Sequence, residues 1–537
     1  MKYPCDSVAS GQTQALLEPS QTTIRGGWVL VAAILGSSMA FIDGTVVNVA
    51  LPSIQHALNA TVADAQWVVE SYALFLAALI LLGGTAGDFY GRRLMFTAGV
   101  FIFAAASAWC GFAPDIRHLI AARALQGIGG ALLVPGSLSI ISAAFPSTER
   151  GKAIGTWSGF TGITAAIGPV LGGWLIQHLS WRWVFFINLP IAAAVIAVSF
   201  LFVPESRGEE GKHKLDVLGA AWITLGLGCL VFGMIEAPTR GWTNPETWGT
   251  VLAGIVAIGL FLLRESRTDS PLLPLRLFSS MNFSGANLLT LLLYAALGAV
   301  LFFLPYNLIQ VQGYSPTQAG AANLPLIFIL FFLSRWAGGL VAHYGAKLPL
   351  VVGPIIAAAG FLLFARPGIG GSYWTTYLPA MVVLGLGMSG VVAPLTTTVM
   401  DSASEHQAGV ASGVNNAVSR VASLLSIAVL GIVAFHVFDV RLESKLNAAA
   451  FAPDVKQAVM EQRSRLTQIE APKELNDDQQ AVLKRAIDES FLAGFRWVML
   501  VSAGLAVLSA VSAWAMIEGK SQEKSQAGPA RRESRIA

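Results

Sequence analysis

Charged residues are scarce in this sequence. Asp, Glu, Lys and Arg make up 12% of its 537 residues, whereas 54% are hydrophobic. A soluble domain usually has about a quarter of its residues charged, so the composition excludes an ordinary soluble protein. The net charge is only +3, and no basic cluster interleaved with aromatic residues indicates a nucleic-acid partner.

Motifs for metal, nucleotide or catalytic chemistry are also missing. The three cysteines (Cys5, Cys110 and Cys229) are too scattered for a disulfide framework or a metal site, so we expect no metal and no cofactor. No G-x-x-x-x-G-K-[ST] segment occurs, which argues against an ATP-driven pump. No nucleophile–base set stands out, so we expect no enzyme. The polar first 25 residues lack the apolar stretch of a signal peptide.

What the sequence does contain is a series of fourteen long apolar segments. About 20 apolar residues cross a bilayer as a helix, and these segments lack the alternation of barrel strands. We therefore predict an all-α membrane protein with 14 transmembrane helices. The segments lie near residues 28–50, 67–87, 94–113, 118–142, 152–178, 184–203, 217–236, 247–263, 285–310, 318–342, 347–366, 375–400, 410–436 and 491–517.

The basic residues predict the orientation of these helices. Loops after even-numbered segments hold eleven Lys and Arg residues, whereas the short loops after odd-numbered segments hold four. Basic loops remain in the cytoplasm, so we expect both termini there, including an N-terminal segment (1–27) and a disordered tail (518–537). We expect the polar segment 437–489 to be external, as a small helical cap or hairpin that serves as a solvated connector.

Short internal repeats indicate two related halves. "RGKAIG" (150–155) is echoed by "AGVASG" (408–413), and "WRWV" (181–184) by "FRWV" (495–498). Inverted or parallel repeats of this kind are common in secondary transporters. The order of the echoes predicts an N-terminal six-helix half (28–203), a linker with two additional transmembrane helices (204–280) and a C-terminal six-helix half (281–517).

Five charged residues fall well inside the predicted helices: Asp43, Glu70, Arg123, Arg335 and Arg420. An ionised residue at a helix centre costs roughly 2.5–3.5 kcal/mol on insertion scales, so each needs a partner or a wet cavity. Asp43 and Arg123 lie at comparable depths. Burial favours an uncharged Asp43 and a nearby Arg123 favours the carboxylate, which predicts a proton switch. The alternative is a permanent ion pair that only fixes helix packing.

Glu70 and Arg420 leave their roles open. Glu70 lies about 5 Å inside the outer end of its helix, where its carboxylate could reach water, so a structural and a proton-coupling role are both compatible with its position. Arg420 lies about 15 Å into its helix and must face the interior.

Candidates for the lining of a substrate cavity combine polar and aromatic side chains. Aromatic faces and carboxylates favour a cationic, amphipathic substrate, whereas an unpaired arginine favours an anionic or zwitterionic one. The candidates are Thr45, Asn48, Tyr72, Gln126, Tyr294 and Arg420.

One segment is rich in small residues at helical spacing: "GTWSGFTGITAAIGPVLGGWL" (155–175). Such spacing lets another helix approach closely. Pro169 removes a backbone hydrogen bond, and Gly168, Gly172 and Gly173 add conformational freedom. We expect a bent, closely packed helix that is suited to an outer gate.

Four ordered motifs resemble those of the major facilitator superfamily, specifically its fourteen-helix drug:proton antiporter family. They are "FIDGTVVNVALP" (41–52), "GTAGDFYGRR" (84–93), "RALQGIGG" (123–130) and "GPVLGG" (168–173). The resemblance implies alternating access between the two halves, with export driven by proton influx. Thr164 stands where the last of these motifs usually has glycine, and Ala342 stands where a second copy of the loop motif would have aspartate.

The resemblance also implies a conformational latch in the loop motif. In that motif Asp88 and the neighbouring Arg92 and Arg93 form a cytoplasmic contact between helices, with Gly84 and Gly91 at the invariant small positions.

These observations together predict a proton-coupled antiporter that exports amphipathic, drug-like compounds across the cytoplasmic membrane. Its expected partners are the small-molecule substrate, protons and the lipid bilayer, and we expect it to function as a monomer. A dedicated exporter of one metabolite or antibiotic is the alternative among transporters. A membrane sensor that transports nothing is the alternative from another class.

Overall fold

The computed structural model describes residues 19–208, 215–241, 243–403, 407–449, 451–472 and 475–519, and within these ranges it has helices but no β-strand. The α-helices are α1 (Pro19–Ala57), α2 (Val62–Tyr90), α3 (Arg92–Phe112), α4 (Ile116–Ala144), α5 (Ser147–His178), α6 (Trp183–Phe186), α7 (Asn188–Phe202), α8 (Val217–Arg240), α9 (Pro245–Glu265), α10 (Met281–Tyr306), α11 (Pro316–Ala321), α12 (Leu324–Tyr344), α13 (Lys347–Phe364), α14 (Tyr373–Asp401), α15 (Ala408–Ala448), α16 (Pro453–Glu461) and α17 (Asp477–Met516). A π-helical turn spans Asn307–Val311, and 3₁₀ turns span Leu275–Ser279 and Arg463–Gln468.

Fourteen stretches of the described chain are long and apolar enough to cross a membrane, which confirms the predicted number. The sixth combines α6 and α7, and the tenth combines α11 with the first part of α12. Large apolar side chains cover the outside of the bundle; Leu201 is 74% exposed and Trp514 is 65% exposed. Such a surface is stable only against lipid, so the chain is a multi-pass membrane protein.

Packing divides the helices into two groups and one pair. Helices α1–α7 pack mainly with one another, as do α10 and α12–α17, whereas the short α11 packs mainly on α5. Helices α8 and α9 form a hairpin, and α8 contacts both α2 and α15. The pair therefore stands beside the seam at which α2 of the first group meets α15 of the second.

The two ends of the bundle carry different contacts. At the end where α17 finishes, which we call the termini face, the backbone N–H of Glu518 donates to Asn282 Oδ1 at 2.8 Å. At the other end, which we call the opposite face, the hydroxyl of Thr317 donates to Gln177 Oε1 at 2.7 Å and joins α11 to α5. Under the predicted topology the opposite face is external.

Glycines bring α5 and α11 together at the opposite face. A Cβ on Gly173 would lie 2.3 Å from the carbonyl oxygen of Pro316, and a Cβ on Gly320 would lie 2.0 Å from that of Pro169. Neither backbone oxygen can move away cheaply, so only glycine allows this approach. Gly168 and Gly172 also pack closely on α1, where an added Cβ would overlap the side chains of Thr45 and Val46. The predicted close packing of α5 is therefore present, and it joins the two groups of helices.

The segment between α15 and α17 differs from the expected solvated connector. The Leu466 side chain is 3% exposed and lines a small pocket with residues of α2, α8, α10 and α15. Two hydrogen bonds tie the 3₁₀ turn to the end of α1: Gln55 Nε2 donates to the carbonyl of Arg465 at 3.2 Å, and Gln468 Nε2 donates to that of Pro52 at 2.8 Å. The turn closes the seam between the groups, because its buried leucine replaces water over apolar side chains.

Substituting Gly173 by alanine should weaken this closed arrangement. The added Cβ meets backbone, and overpacking of this kind costs about 1–3 kcal/mol. With the native cysteines replaced by serine, disulfide formation between Gln177→Cys and Thr317→Cys reports the closed opposite face. We expect Gly173→Ala to slow it severalfold. Gly159→Ala, at a position in α5 where a Cβ meets nothing, is the matched control and should leave the rate unchanged; equal rates in both variants would contradict the role of this contact.

Candidate functional site

The structure brings Asp43 of α1 and Arg123 of α4 together in the interior of the first group. Arg123 Nη1 donates to Asp43 Oδ2 at 2.6 Å. The side chain of Asp43 is 0% exposed and that of Arg123 is 1% exposed. The close approach of α4 to α2 is possible because Gly127 packs on α2: a Cβ there would lie 2.5 Å from the carbonyl oxygen of Tyr72. The predicted proximity of Asp43 and Arg123 is therefore confirmed.

Further polar groups complete a buried network around this pair. Gln126 Nε2 donates to Asp43 Oδ1 at 2.8 Å, so both carboxylate oxygens have partners. Arg123 Nη1 also donates to Gln126 Oε1 at 2.7 Å. Ser107 of α3 accepts from Asn188 Nδ2 at 2.9 Å and lies 3.4 Å from Gln126 Nε2. The network thus connects α1, α3, α4 and α7, and it leaves the ion pair neutralised and hydrogen-bonded.

Aromatic and backbone groups enclose the guanidinium. The centre of the Arg123 guanidinium lies 4.3 Å from the centroid of the Tyr72 ring and 5.9 Å from that of Phe185. Arg123 Nε donates to the carbonyl of Val68 at 3.0 Å. Tyr72 and Gln126 were expected to line a substrate cavity, but they are 6% and 0% exposed. In this conformation their side chains surround the ion pair inside the first group, so their place in a cavity lining stays a prediction.

Glu70 is buried in a way that the sequence did not indicate. Its depth in α2 left contact of the carboxylate with water open, and in the structure the residue is 0% exposed. Neither carboxylate oxygen has a hydrogen-bond partner among the described residues. One turn before it, Gln66 Nε2 donates to the carbonyl of Ile427, and one turn after it, Leu74 belongs to an apolar cluster with Leu424 of α15 and residues of α8. Residues four apart share a helix face, so Glu70 lies on the face of α2 that meets α15.

Arg420 also stands without a partner. It is partly buried in α15, its Nε atom is enclosed, and no described residue forms a hydrogen bond or ion pair with it. The nearest polar cluster on α15 is satisfied within the second group: Asn415 Nδ2 donates to Thr290 Oγ1 at 2.7 Å. Tyr294, one turn along α10, is partly buried. The side chain of Arg335 lies outside those that the structure describes.

Two other cavity candidates use their polar atoms within α1. The Thr45 hydroxyl donates to the carbonyls of Phe41 and Ile42, both at 3.0 Å. Asn48 Nδ2 lies 3.4 Å from the carbonyl oxygen of Gly44, and Gly44 is an exposed residue. Thr45 also packs on Gly168, so its position serves the α1–α5 contact. Asn48 is partly exposed and is the better placed of the two for contact with a substrate.

The loop motif between α2 and α3 forms contacts with the chain that follows α7. Arg92 Nε bonds Asp88 Oδ1 at 2.8 Å within the motif. The carboxylate of Glu205 accepts from the backbone N–H of Arg93 at 3.0 Å, and Arg93 Nη1 donates to the carbonyl of Val203 at 3.2 Å. All of these partners belong to the first group or directly follow it.

Glycine is required at the turn of this motif. Gly91 has φ +127°, and a Cβ there would lie 2.8 Å from the Glu205 carboxylate. The motif glycine Gly84 is less constrained, since its Cβ would make an ordinary contact with Pro135. Its neighbour Gly83 packs more tightly, because a Cβ there would lie 2.0 Å from the carbonyl oxygen of Ala131.

Three residues of these sites were missed in the sequence: Ser107, Asn188 and Glu205. Asn188 carries a usable signal, because it is a polar residue within the apolar run "WVFFINLPIAAAV". Ser107 and Glu205 carry none, since serine is frequent in transmembrane helices and a glutamate after a helix end is ordinary. Within the described residues, no group of three or more His, Cys, Asp or Glu side chains is arranged to hold a metal ion.

Removing only one charge of the buried pair should be costly. Asp43→Asn leaves the Arg123 charge without neutralisation, and breaking a buried pair in this way costs about 3–5 kcal/mol. We expect the Tm of the purified protein in detergent to fall clearly, and the double variant Asp43→Asn/Arg123→Gln to recover much of the loss. Asp115→Asn, at an exposed ion pair with His118, is the control and should change little. An unchanged Tm for Asp43→Asn would show that the pair is not needed for folding.

Comparison with known proteins gives a consistent family. The model of the Major Facilitator Superfamily matches residues 33–427. The chain is 33% identical to the tetracenomycin C resistance and export protein of Streptomyces glaucescens, over 90% of both chains. It is 34% identical to the multidrug resistance protein Stp of Mycobacterium tuberculosis, over 80% of both, and 31% identical to the puromycin resistance protein pur8 of Streptomyces alboniger, over 94% of both.

Solved structures agree at the level of the fold. An inward-facing, unoccupied bacterial homolog of the human lysosomal transporter Spinster superposes with a TM-score of 0.63 at 17% identity, covering 92% of this chain and 97% of that one. The inward-open xylose transporter XylE from E. coli superposes with a TM-score of 0.54 at 15% identity, covering 92% and 96%. By its sequence motifs, its matching family model and its fold, the chain belongs to the major facilitator superfamily.

Proposed function

We propose that this protein is a proton-coupled antiporter that exports amphipathic, drug-like compounds across the cell membrane. The superfamily consists of secondary transporters, and the relatives above are named for drug or antibiotic resistance. The excess of basic residues in the loops of the termini face supports a cytoplasmic location for that face. The opposite face, closed in this conformation, is then the external one.

The observation that carries the proton coupling is the environment of Glu70. A carboxylate without a partner is unstable in a buried site, and such a group accepts a proton instead of remaining charged. Because Glu70 lies on the α2 face that meets α15, its burial depends on the two groups being closed at this seam. We propose that Glu70 carries the transported proton and is protonated in the closed state.

This arrangement gives a sequence of steps for exchange. With the opposite face open, Glu70 takes a proton from the external side, and the neutral side chain allows the seam to close. Substrate binding from the cytoplasmic side displaces the proton, which leaves to the cytoplasm. The ionised carboxylate then favours the conformation in which it is solvated, so the opposite face opens again. A ligand or proton shifts such an equilibrium only by its differential affinity for the two states, and Glu70 supplies that difference.

The Asp43–Arg123 pair has a different part in this proposal. Its charges are already balanced in this conformation, and both oxygens of Asp43 are hydrogen-bonded, so it holds α1 and α4 together as a unit that moves with the first group. The contacts of Asp88, Gly91, Arg92 and Arg93 at the termini face act on the conformational equilibrium and not on substrate binding.

Glu70→Gln tests the proton-carrying role. Glutamine imitates the protonated side chain, so we expect a folded protein that still binds substrate but releases no proton on binding. The measurement is the pH change of a weakly buffered solution of purified protein on addition of substrate, together with export in everted vesicles. Glu149→Gln, an exposed glutamate at the start of α5, is the matched control and should behave as wild type. Normal proton release by Glu70→Gln would refute the assignment.

The charge balance of the interior favours substrates with an acidic group. Arg123 neutralises Asp43 and occupies the face of the Tyr72 ring, and Glu70 is proposed to be neutral, whereas Arg420 has no partner. The interior therefore has an excess positive charge at Arg420. This favours an anionic or zwitterionic amphipathic compound over the cationic one that the sequence suggested, and a dedicated exporter of one acidic metabolite or antibiotic is the second candidate function.

Arg420→Ala should therefore change which compounds are exported. In an exporter-deficient bacterium, we expect the variant to lose resistance to acidic antibiotics and to keep resistance to neutral ones. Arg420→Lys, which preserves the charge, should retain partial resistance to acidic compounds. Selective resistance to lipophilic cations that survives Arg420→Ala would overturn the acidic preference without affecting the test of Glu70.

A further inference from the structure

A basic cleft at the opposite face lies away from the seam and from the buried ion pair. It has a volume of about 910 Å³ and is formed by the end of α15, the first half of α17 and the loop between α13 and α14. Five basic and two acidic side chains line it, which gives a net charge of +3. The basic residues are Arg441, Lys445, Lys484, Arg485 and Arg496.

The inner end of the cleft, at Arg496, is at the level where α17 leaves the hydrocarbon. Along α17, charged residues end at Arg496, and none follows until Glu518. Trp497, beside Arg496, is 52% exposed, and Trp374 in the first turn of α14 is 72% exposed. Exposed tryptophans are typical of the headgroup region of a membrane, so the cleft opens toward lipid headgroups.

The acidic residues of the cleft do not cancel its charge. Glu489 binds both Lys445 and Arg485, and Asp488 binds Lys484 at 3.2 Å. Arg441 has no hydrogen-bond or ion-pair partner among the described residues. The Nη2 atom of Arg496 donates to the carbonyl of Pro367 at 3.0 Å, and its other donors remain free. Two guanidinium groups are therefore available to an anion.

An apolar surface continues from the cleft into the membrane. Its floor includes Leu492, and the rim includes Ile369, which is 44% exposed. Below Trp497, α17 exposes apolar side chains that lie three, four or seven residues apart and so share one face: Leu500, Val507, Leu508, Val511 and Trp514. A ligand with an anionic head and a long apolar tail would contact both the cleft and this stripe.

We propose that the cleft binds the headgroup of an anionic phospholipid, with the phosphate at Arg441 and Arg496 and an acyl chain along α17. Arginine is suited to phosphate because its planar fork matches the phosphate oxygens. The continuous apolar stripe is the reason for choosing a lipid over free phosphate, which has nothing to place there.

The test uses the purified full-length protein in detergent, with dioleoyl-phosphatidylglycerol as the probe and dioleoyl-phosphatidylcholine as the zwitterionic comparison. Native mass spectrometry counts retained lipids, and the Tm reports stabilisation. Each basic residue near an anionic membrane surface contributes about a fivefold change in binding. We therefore expect Arg441→Ala to weaken retention of phosphatidylglycerol about fivefold and Arg441→Ala/Arg496→Ala to weaken it further.

Two controls keep the test decisive. Arg117→Ala removes an exposed arginine from the same face of the first group and should leave retention unchanged. If the double variant does not fold, Arg441→Ala and Arg441→Glu alone must still lower retention, since Arg441 has no partner to lose. Equal retention by Arg441→Ala and wild type would overturn the proposal. Equal stabilisation by phosphatidylcholine, or by inorganic phosphate without any lipid, would also overturn it.

Discussion

A charged side chain inside a membrane must be neutralised by a partner, by a proton or by contact with water or a charged ligand, because the hydrocarbon offers nothing else. Each of these solutions applies to a different residue of this protein. Arg123 neutralises Asp43 directly. Glu70 has no partner and, in our proposal, binds a proton. Arg420 has no partner either, and we propose that it meets an acidic substrate. The roles of the three sites follow from how each charge is satisfied.

Close backbone contacts decide where the two groups of helices can separate. Gly173 and Gly320 let α5 and α11 approach until a Cβ would overlap a carbonyl oxygen. Packing this close is sensitive to distance, since a gap of about 0.5–1 Å already forfeits a quarter to a half of the dispersion energy. A small separation therefore weakens the contact steeply. The Leu466 turn adds to it from outside, over the seam between α2 and α15.

The sequence predicted the number of helices, the Asp43–Arg123 contact and the close packing of α5, because each depends on a local pattern: apolar runs, rare charges or small residues at helical spacing. It did not predict the burial of Glu70, since depth along a helix does not say which side the residue faces. For the same reason it did not show that Tyr72 and Gln126 take part in the ion-pair network. The 3₁₀ turn was also missed: its surroundings are polar, and one leucine gives no periodic signal.

The placement of Glu70 makes seam closure and proton binding parts of one equilibrium. Gln66, one turn before it, bonds α15, and Leu74, one turn after it, belongs to an apolar cluster that includes α15 residues. In our proposal, Glu70 becomes solvated only when these contacts open. Linkage then requires that whatever stabilises the closed seam also raises the affinity of Glu70 for its proton, and that protonation stabilises closure by the same free energy. Neither the α5–α11 contact nor the Leu466 turn forms a hydrogen bond with the carboxylate, yet both strengthen closure. In this proposal they set how tightly the proton is held as well as how long the face remains shut.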